Sequence, residues 1–174
     1  MKNPHFSRSE LNAMFSYDPA TGILKWRRRA DRSQGWNTRY AEKPAGAVMK
    51  VRNNAYRIVS LAGRGVLAHR IIWCLMTGKW PSDQIDHRDG FGLNNRWLNL
   101  REANNSQNNR NVGLKASNTS GVKGVHWDID CGKWVARIRH GDRRIHLGVF
   151  TSIDAAATAY QEAAKRHHGD FARF

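Results

Sequence analysis

Cysteine is nearly absent: Cys74 and Cys131 are the only two in 174 residues. That excludes a disulfide framework and the paired cysteines of a structural zinc site, so no structural zinc is expected. Two unpaired thiols suit a reducing cytoplasm. Long apolar runs are missing too. The most apolar stretch, "VLAHRIIWCLM" from Val66 to Met76, is too short to span a bilayer and contains His69 and Arg70. Met1 to Leu11 is polar and charged, so no signal peptide opens the chain. A soluble, cytoplasmic protein is expected.

Acidic residues are scarce. There are 14 of them against 29 Lys and Arg, which leaves a net charge of +15. Eleven of the surplus charges fall in residues 1–112 and four in 113–174, so the excess is not one basic tail. Basic residues spread among aromatics through both halves fit nucleic acid better than a membrane-surface helix. A hydrophobic content of 40% with seven Trp argues for packed cores. The length allows one ordinary domain or two small ones.

Ser7 and Glu10 form a capping-box pattern ahead of a short amphipathic helix in "SELNAMF". "YDPATG" predicts a turn and "ILKW" (Ile23–Trp26) a strand. Residues 27–46 carry five Arg and two aromatics but show no clear period. They are expected to be a loop whose role, DNA contact or plain solvation, stays open. "AYRIVSL" (Ala55–Leu61) reads as a strand that turns at "AGRG" and returns. A buried helix then runs from His69 to Thr77 and ends at Gly78.

Seven asparagines crowd into residues 84–109, behind an Asp-His pair. "QIDH" predicts a short strand, "RDGFGLNNRW" a turn, "LNLREA" (Leu98–Ala103) the return strand and "NNSQNNRN" a helix. That order brings the end of the first strand toward the first turns of the helix, so Asp86, His87 and Asn108 can converge. Phosphodiester hydrolysis needs such a set. An imidazole takes a proton from water near neutral pH. A hard divalent cation, held by one carboxylate and neutral oxygens, offsets the developing charge. Asn99, next along the return strand, is expected to steady the imidazole and the loop. His69 reads as structural.

"GLKASNTS" (Gly113–Ser120) is a polar connector. Three strand-like runs follow, "GVKGVHW", "KWVARIRH" and "RRIHLGVF", and then one helix capped by Ser152 and closed by Gly169, with Ala155, Ala156, Ala159 and Ala163 expected against the sheet. Side-chain alternation puts Trp134, Ala136 and Ile138 on one face, and Val135, Arg137 and Arg139 on the other. Ile145 and Leu147 likewise oppose Arg144 and His146. A small sheet presenting Arg137, Arg139, Arg144 and His146 suits the DNA major groove.

Asp86-His87, Asn99 in "LNLR" and Asn108 in "SQNN" resemble the HNH endonuclease motif. The frame "AHRIIW … GKWP … IDHRDG … LNNRWLNLREA … QNNRN" is similar to phage-type homing and free-standing HNH endonucleases. The resemblance implies a ββα-metal module with Asp86 and Asn108 as metal ligands, His87 as general base and Asn99 as the structural asparagine. Asn94 and Asn95 match loop asparagines, read as turn residues. Many relatives carry a second histidine at the position of Asn108, and an amide oxygen there favours one Mg²⁺ or Mn²⁺ per site. From Ser120 on, the sequence resembles the Apetala-type DNA-binding domain of plant ethylene-response factors. That resemblance implies major-groove contact through Lys123, His126, Arg137, Arg139, Arg144 and His146.

The expected protein is thus of α+β class: an HNH domain over 1–113 (core motif 84–112), a linker over 114–120, and three strands plus a helix over 121–174. Its expected function is metal-dependent cleavage of double-stranded DNA, encoded by a phage or prophage and acting in the bacterial host cell. A non-cleaving DNA-binding regulator on the same scaffold is the alternative. A structural RNA-binding protein is a third reading, for which the two-aromatic stacking face is missing. Oligomeric state is not legible.

Overall fold

The computed structural model describes residues 6–52, 54–114 and 117–174. The protein is of α+β class, with five α-helices and small antiparallel sheets among these residues. It divides into two compact units, Met1–Ala103 and Asn104–Phe174.

The first unit opens with α1 (Arg8–Met14). Ser7 Oγ accepts from Glu10 N, and Glu10 Oε2 accepts from Ser7 N at 2.7 Å, the reciprocal cap expected from the sequence. β1 (Phe15–Asp18) pairs antiparallel with β2 (Ile23–Trp26). Within residues 27–46 the structure departs from the expected loop and forms α2 (Gln34–Tyr40), capped by Ser33. Its buried residue is Asn37 rather than an aliphatic, so the helix leaves no apolar period to read. Residues 41–45 then run beside β2, with Ala45 N donating to Leu24 O at 2.7 Å.

β3 (Ala47–Val51), which the sequence did not announce, pairs with β4 (Asn54–Leu61), and β4 with β5 (Arg64–Leu67). α3 (Ala68–Thr77) ends at Gly78, whose φ of 81° is the left-handed stop expected there. Leu11, Phe15, Leu24, Val59, Ile71 and Ile72 form the fully buried centre of this unit. β6 (Gln84–His87) and β7 (Leu100–Ala103) make a separate two-stranded sheet, and a 3₁₀ turn (Trp97–Asn99) occupies the first part of the expected return strand.

The second unit begins ten residues before the expected boundary at 113, because α4 (Asn105–Asn111) belongs to it. The reason is the fastening of the helix end. Lys123 Nζ donates to the carbonyls of Arg110 (2.6 Å) and Val112 (2.7 Å), and Arg173 Nη1 donates to that of Asn111 (3.3 Å). Of the expected connector, Lys115 and Ala116 lie outside the described residues.

β8 (Val125–Asp128), β9 (Lys133–His140) and β10 (Arg143–Phe150) form a sheet in the order β10-β9-β8. β8 starts four residues later than expected. Gly124 sits at φ 73°, where a Cβ would meet the Tyr160 ring at 2.3 Å. α5 (Ile153–His168), capped by Ser152 and closed at Gly169, packs Ala156, Tyr160, Ala163 and Ala164 on Val125, Ala136 and Ile138. Ala155 faces solvent instead of the sheet. No described helix is long and apolar enough to cross a membrane.

Candidate active site and nucleic-acid interface

Asp86 and His87 end β6, and each is only 4% exposed. A carboxylate buried this deeply needs a counter-charge. Antiparallel pairing supplies it by setting Arg101 of β7 opposite Asp86. Arg101 Nε donates to Asp86 Oδ2 at 2.8 Å, and Nη2 lies 2.7 Å from the same oxygen.

His87 Nε2 lies 3.0 Å from Asn95 Oδ1. With the amide oxygen as acceptor, Nε2 carries the proton and the basic lone pair of the neutral ring falls on Nδ1. Burial lowers the imidazole's pKa, and the Asn95 bond, Asp89 and Asp86 pull the other way. The ring packs against His69 at 5.1 Å between centroids, and Tyr56 lies 6.0 Å from both. Burial, then His87 and Arg70, push His69 down to about 3, which fits its expected structural part.

Asn95, read from sequence as a turn residue, is therefore the group that orients the candidate base. The fold fixes it from the other side. Tyr17 Oη donates to Asn95 O at 2.8 Å, and Gly22 (φ 76°) packs so closely that a Cβ there would come within 2.5 Å of Asn95 C. The β1–β2 hairpin thus buttresses the loop that holds the imidazole.

Asn99, expected to steady imidazole and loop alike, bonds with the loop. Its amide bonds with Asp89 N (3.1 Å), Asp89 Oδ1 (3.0 Å) and Asn94 O (2.7 Å). Asp89 is the hub of this loop and also accepts from Phe91 N and Asn94 Nδ2. Burial tends to raise its pKa, but the Phe91, Asn94 and Asn99 bonds prevail and hold it below the usual carboxylate range. Asn104 caps α4, its Oδ1 accepting from Gln107 N while Gln107 Oε1 accepts from Asn104 N. Asn108 lies partly exposed on α4, in the second unit.

Among the described residues no group of three or more His, Cys, Asp or Glu could hold a metal ion. Asp86 supplies one carboxylate, a donor that suits a hard cation which keeps waters and takes substrate phosphate as a ligand.

In the second unit the register sets Arg144 opposite Arg139 and His146 opposite Arg137, all four exposed, and His126 is exposed on β8. These side chains leave that part of the sheet basic, whereas Val135, expected beside Arg137, is buried. Arg139 leans back on Gly141 O at 3.2 Å and lies 3.9 Å from Asp142 Oδ1. Lys123 departs from the expected set of DNA contacts. Its ammonium is partly buried on the α4 carbonyls, and burial followed by Arg173 lowers its pKa. A groove of about 940 Å³ runs between this face and α4, with Asn105, Asn109, His126, Arg137, Arg139 and Arg144 among its walls.

Residues 66–110 match the family model described as HNH endonuclease, a span that runs from within β5 into α4. Protein 3.8 of Escherichia phage T7 is 32% identical over 107 residues, covering 61% of this chain and 88% of the phage protein. Two plant proteins of Arabidopsis thaliana match over shorter stretches. Dehydration-responsive element-binding protein 2A is 52% identical over 44 residues, which is 24% of this chain and 13% of the plant protein. Dehydration-responsive element-binding protein 2C is 49% identical over 55 residues, 30% of this chain and 15% of that protein. No solved structure matches. The chain accordingly belongs to the family of the phage T7 Protein 3.8 and carries an HNH endonuclease segment over residues 66–110.

Proposed function

We propose that the protein is a metal-dependent endonuclease that hydrolyses phosphodiester bonds of double-stranded DNA. The observation that carries this reading is the buried His87, oriented by Asn95 inside the segment that matches the HNH endonuclease model. His87 Nδ1 takes a proton from the attacking water. Asn95 holds the ring, and Asn99 with Asp89 holds the loop from which Asn95 projects. Asp86 and Asn108 are the proposed ligands of one Mg²⁺, with Mn²⁺ as a substitute. When bound, the cation supplies charge to offset the phosphorane and the leaving 3′ oxygen. Arg101 braces the Asp86 carboxylate and fixes its position.

DNA is engaged by the sheet of the second unit through His126, Arg137, Arg139, Arg144 and His146. Supporting this are the exposed cross-strand pairs of that face and the partial matches to plant proteins named as dehydration-responsive element-binding. Lys123 serves as a strut for α4 in this reading.

Supercoiled plasmid incubated with the protein in Mg²⁺ tests the proposal, beside EDTA and His87→Ala controls. Open-circle or linear product that both controls abolish is the expected result. Intact plasmid in Mg²⁺ and in Mn²⁺, together with a salt-sensitive gel shift, would instead make the protein a non-cleaving DNA-binding regulator.

A further inference from the structure

The arginine-rich segment 27–40 plays no part in the roles just proposed. Its backbone is built around one buried amide. Asn37, 7% exposed, accepts from Arg29 N at 2.9 Å, and its Nδ2 lies 2.8 Å from Arg29 O and 3.2 Å from the carbonyls of Arg32 and Ser33. Such satisfaction of a buried polar group fixes the path of the chain. Trp36 stands edge-on to Trp26 at 5.5 Å between centroids. The guanidinium groups of Arg29 and Arg32 lie 6.0 and 5.7 Å from its ring.

Asp31 is the single carboxylate in residues 27–41, and Arg29 holds it in an ion pair. Arg28 and Arg32 are exposed, and among the described residues no carboxylate lies in ion-pair range of either. Together with Arg29, Ala30, Gln34 and Asn37 they line a recess of about 680 Å³. A guanidinium laid toward an aromatic ring keeps its N–H edge for an acceptor, and the planar fork matches phosphate oxygens. Nearly every side chain around the recess is a donor, so an acidic peptide would find little apolar surface to anchor it.

We propose that this segment is a second DNA contact, a clamp on backbone phosphates that is indifferent to base sequence. The proposal rests on the reading of the chain as a DNA-acting protein and places a phosphate-binding surface in the unit that carries His87.

The test uses the full chain in a His87→Ala background, so that bound DNA stays intact, with Arg28→Gln/Arg32→Gln added. Affinity is measured by fluorescence anisotropy against salt on two duplexes of unrelated sequence. With two phosphates no longer neutralised, the log–log salt slope falls by about 2 and binding weakens on the order of 50-fold at about 0.1 M salt, equally on both duplexes. Arg28→Lys/Arg32→Lys keeps most of the slope, and thermal unfolding is unchanged in each variant. An unchanged slope in the Gln variant overturns the clamp. So does an equal loss in Arg64→Gln/Arg166→Gln, which removes two exposed arginines elsewhere. Failure of the underlying reading looks different: the parent chain itself binds neither duplex.

Discussion

The β6–β7 hairpin and the β9–β10 face handle polar residues in opposite ways. At the hairpin Asp86, His87, Asn95 and Arg101 are buried, held by two hydrogen bonds at 2.8 and 3.0 Å and an ion pair at 2.7 Å. On the sheet Arg137, Arg144 and His146 are exposed, and Arg139 is exposed too although it leans on Gly141 and Asp142. Chemistry on a phosphate needs groups whose positions and protonation are set before substrate arrives. Reading a duplex needs long side chains that can still adjust to it, and whose charge is not already spent on the protein. The same residue type, arginine, is thus a buried brace at position 101 and an exposed cation at 137.

Breaking the hairpin's order should have the larger effects. His87→Ala is expected to lower cleavage by about 10²–10⁴-fold while gel-shift affinity stays near the parent's. Equal loss of binding would mean that the residue is structural. Arg101→Ala leaves the buried Asp86 carboxylate without its brace and should cost about 3–5 kcal/mol in urea unfolding. In Arg101→Ala/Asp86→Asn part of that loss should return. A single-variant loss below about 1 kcal/mol would show that the ion pair is not as isolated from water as its burial implies.

Acidity provides a third probe. His69 has a folded-state pKa of about 3, against an ordinary value of 6.5. Because the folded pKa is depressed, the unfolded chain binds the proton first. The stability from this residue is complete above pH 6.5 and drains as pH falls toward 3. The loss between pH 6.5 and 5 is about 2 kcal/mol, and His69→Gln should flatten the profile over that window. Asn95→Ala, which frees the imidazole without removing it, should lower cleavage about 10–100-fold. On the sheet, Arg139→Ala/Arg144→Ala should leave folding untouched and weaken specific binding by about 1–3 kcal/mol for each base no longer read. If that variant also unfolds readily, the exposed face is holding the sheet together and the contrast fails.

Much of this order is legible in the chain, and the failures share a cause. Strand alternation locates β9 and β10 and separates Arg137 and Arg139 from Ala136 and Ile138, although Val135, expected on the arginine face, is buried; the Ser7/Glu10 and Ser152 caps place α1 and α5. These are local patterns with a period. Asn95 passes for a turn residue because a loop has none. Its bond to His87 spans eight positions and depends on the turn around Asp89. α2 escapes notice for a related reason, since its inward residue is an amide. Arg101 leaves a usable signal: aligning "QIDH" antiparallel to "LREA" is enough by itself to set it opposite Asp86. Lys123 looks like its exposed neighbours in sequence, and only its partners on α4 reveal otherwise.

The fastening of α4 bears on how such chains can be recombined. The endonuclease match ends at residue 110, whereas the second unit starts at Asn104, so one short helix is claimed by both. A crossover in the polar connector after Gly113 would look harmless by composition. It would nonetheless part the helix from Lys123 and Arg173, the residues that hold its last carbonyls. Exchange of the C-terminal module between lineages, or its grafting in the laboratory, should therefore succeed with a junction just before Asn104 and fail with one ten residues later.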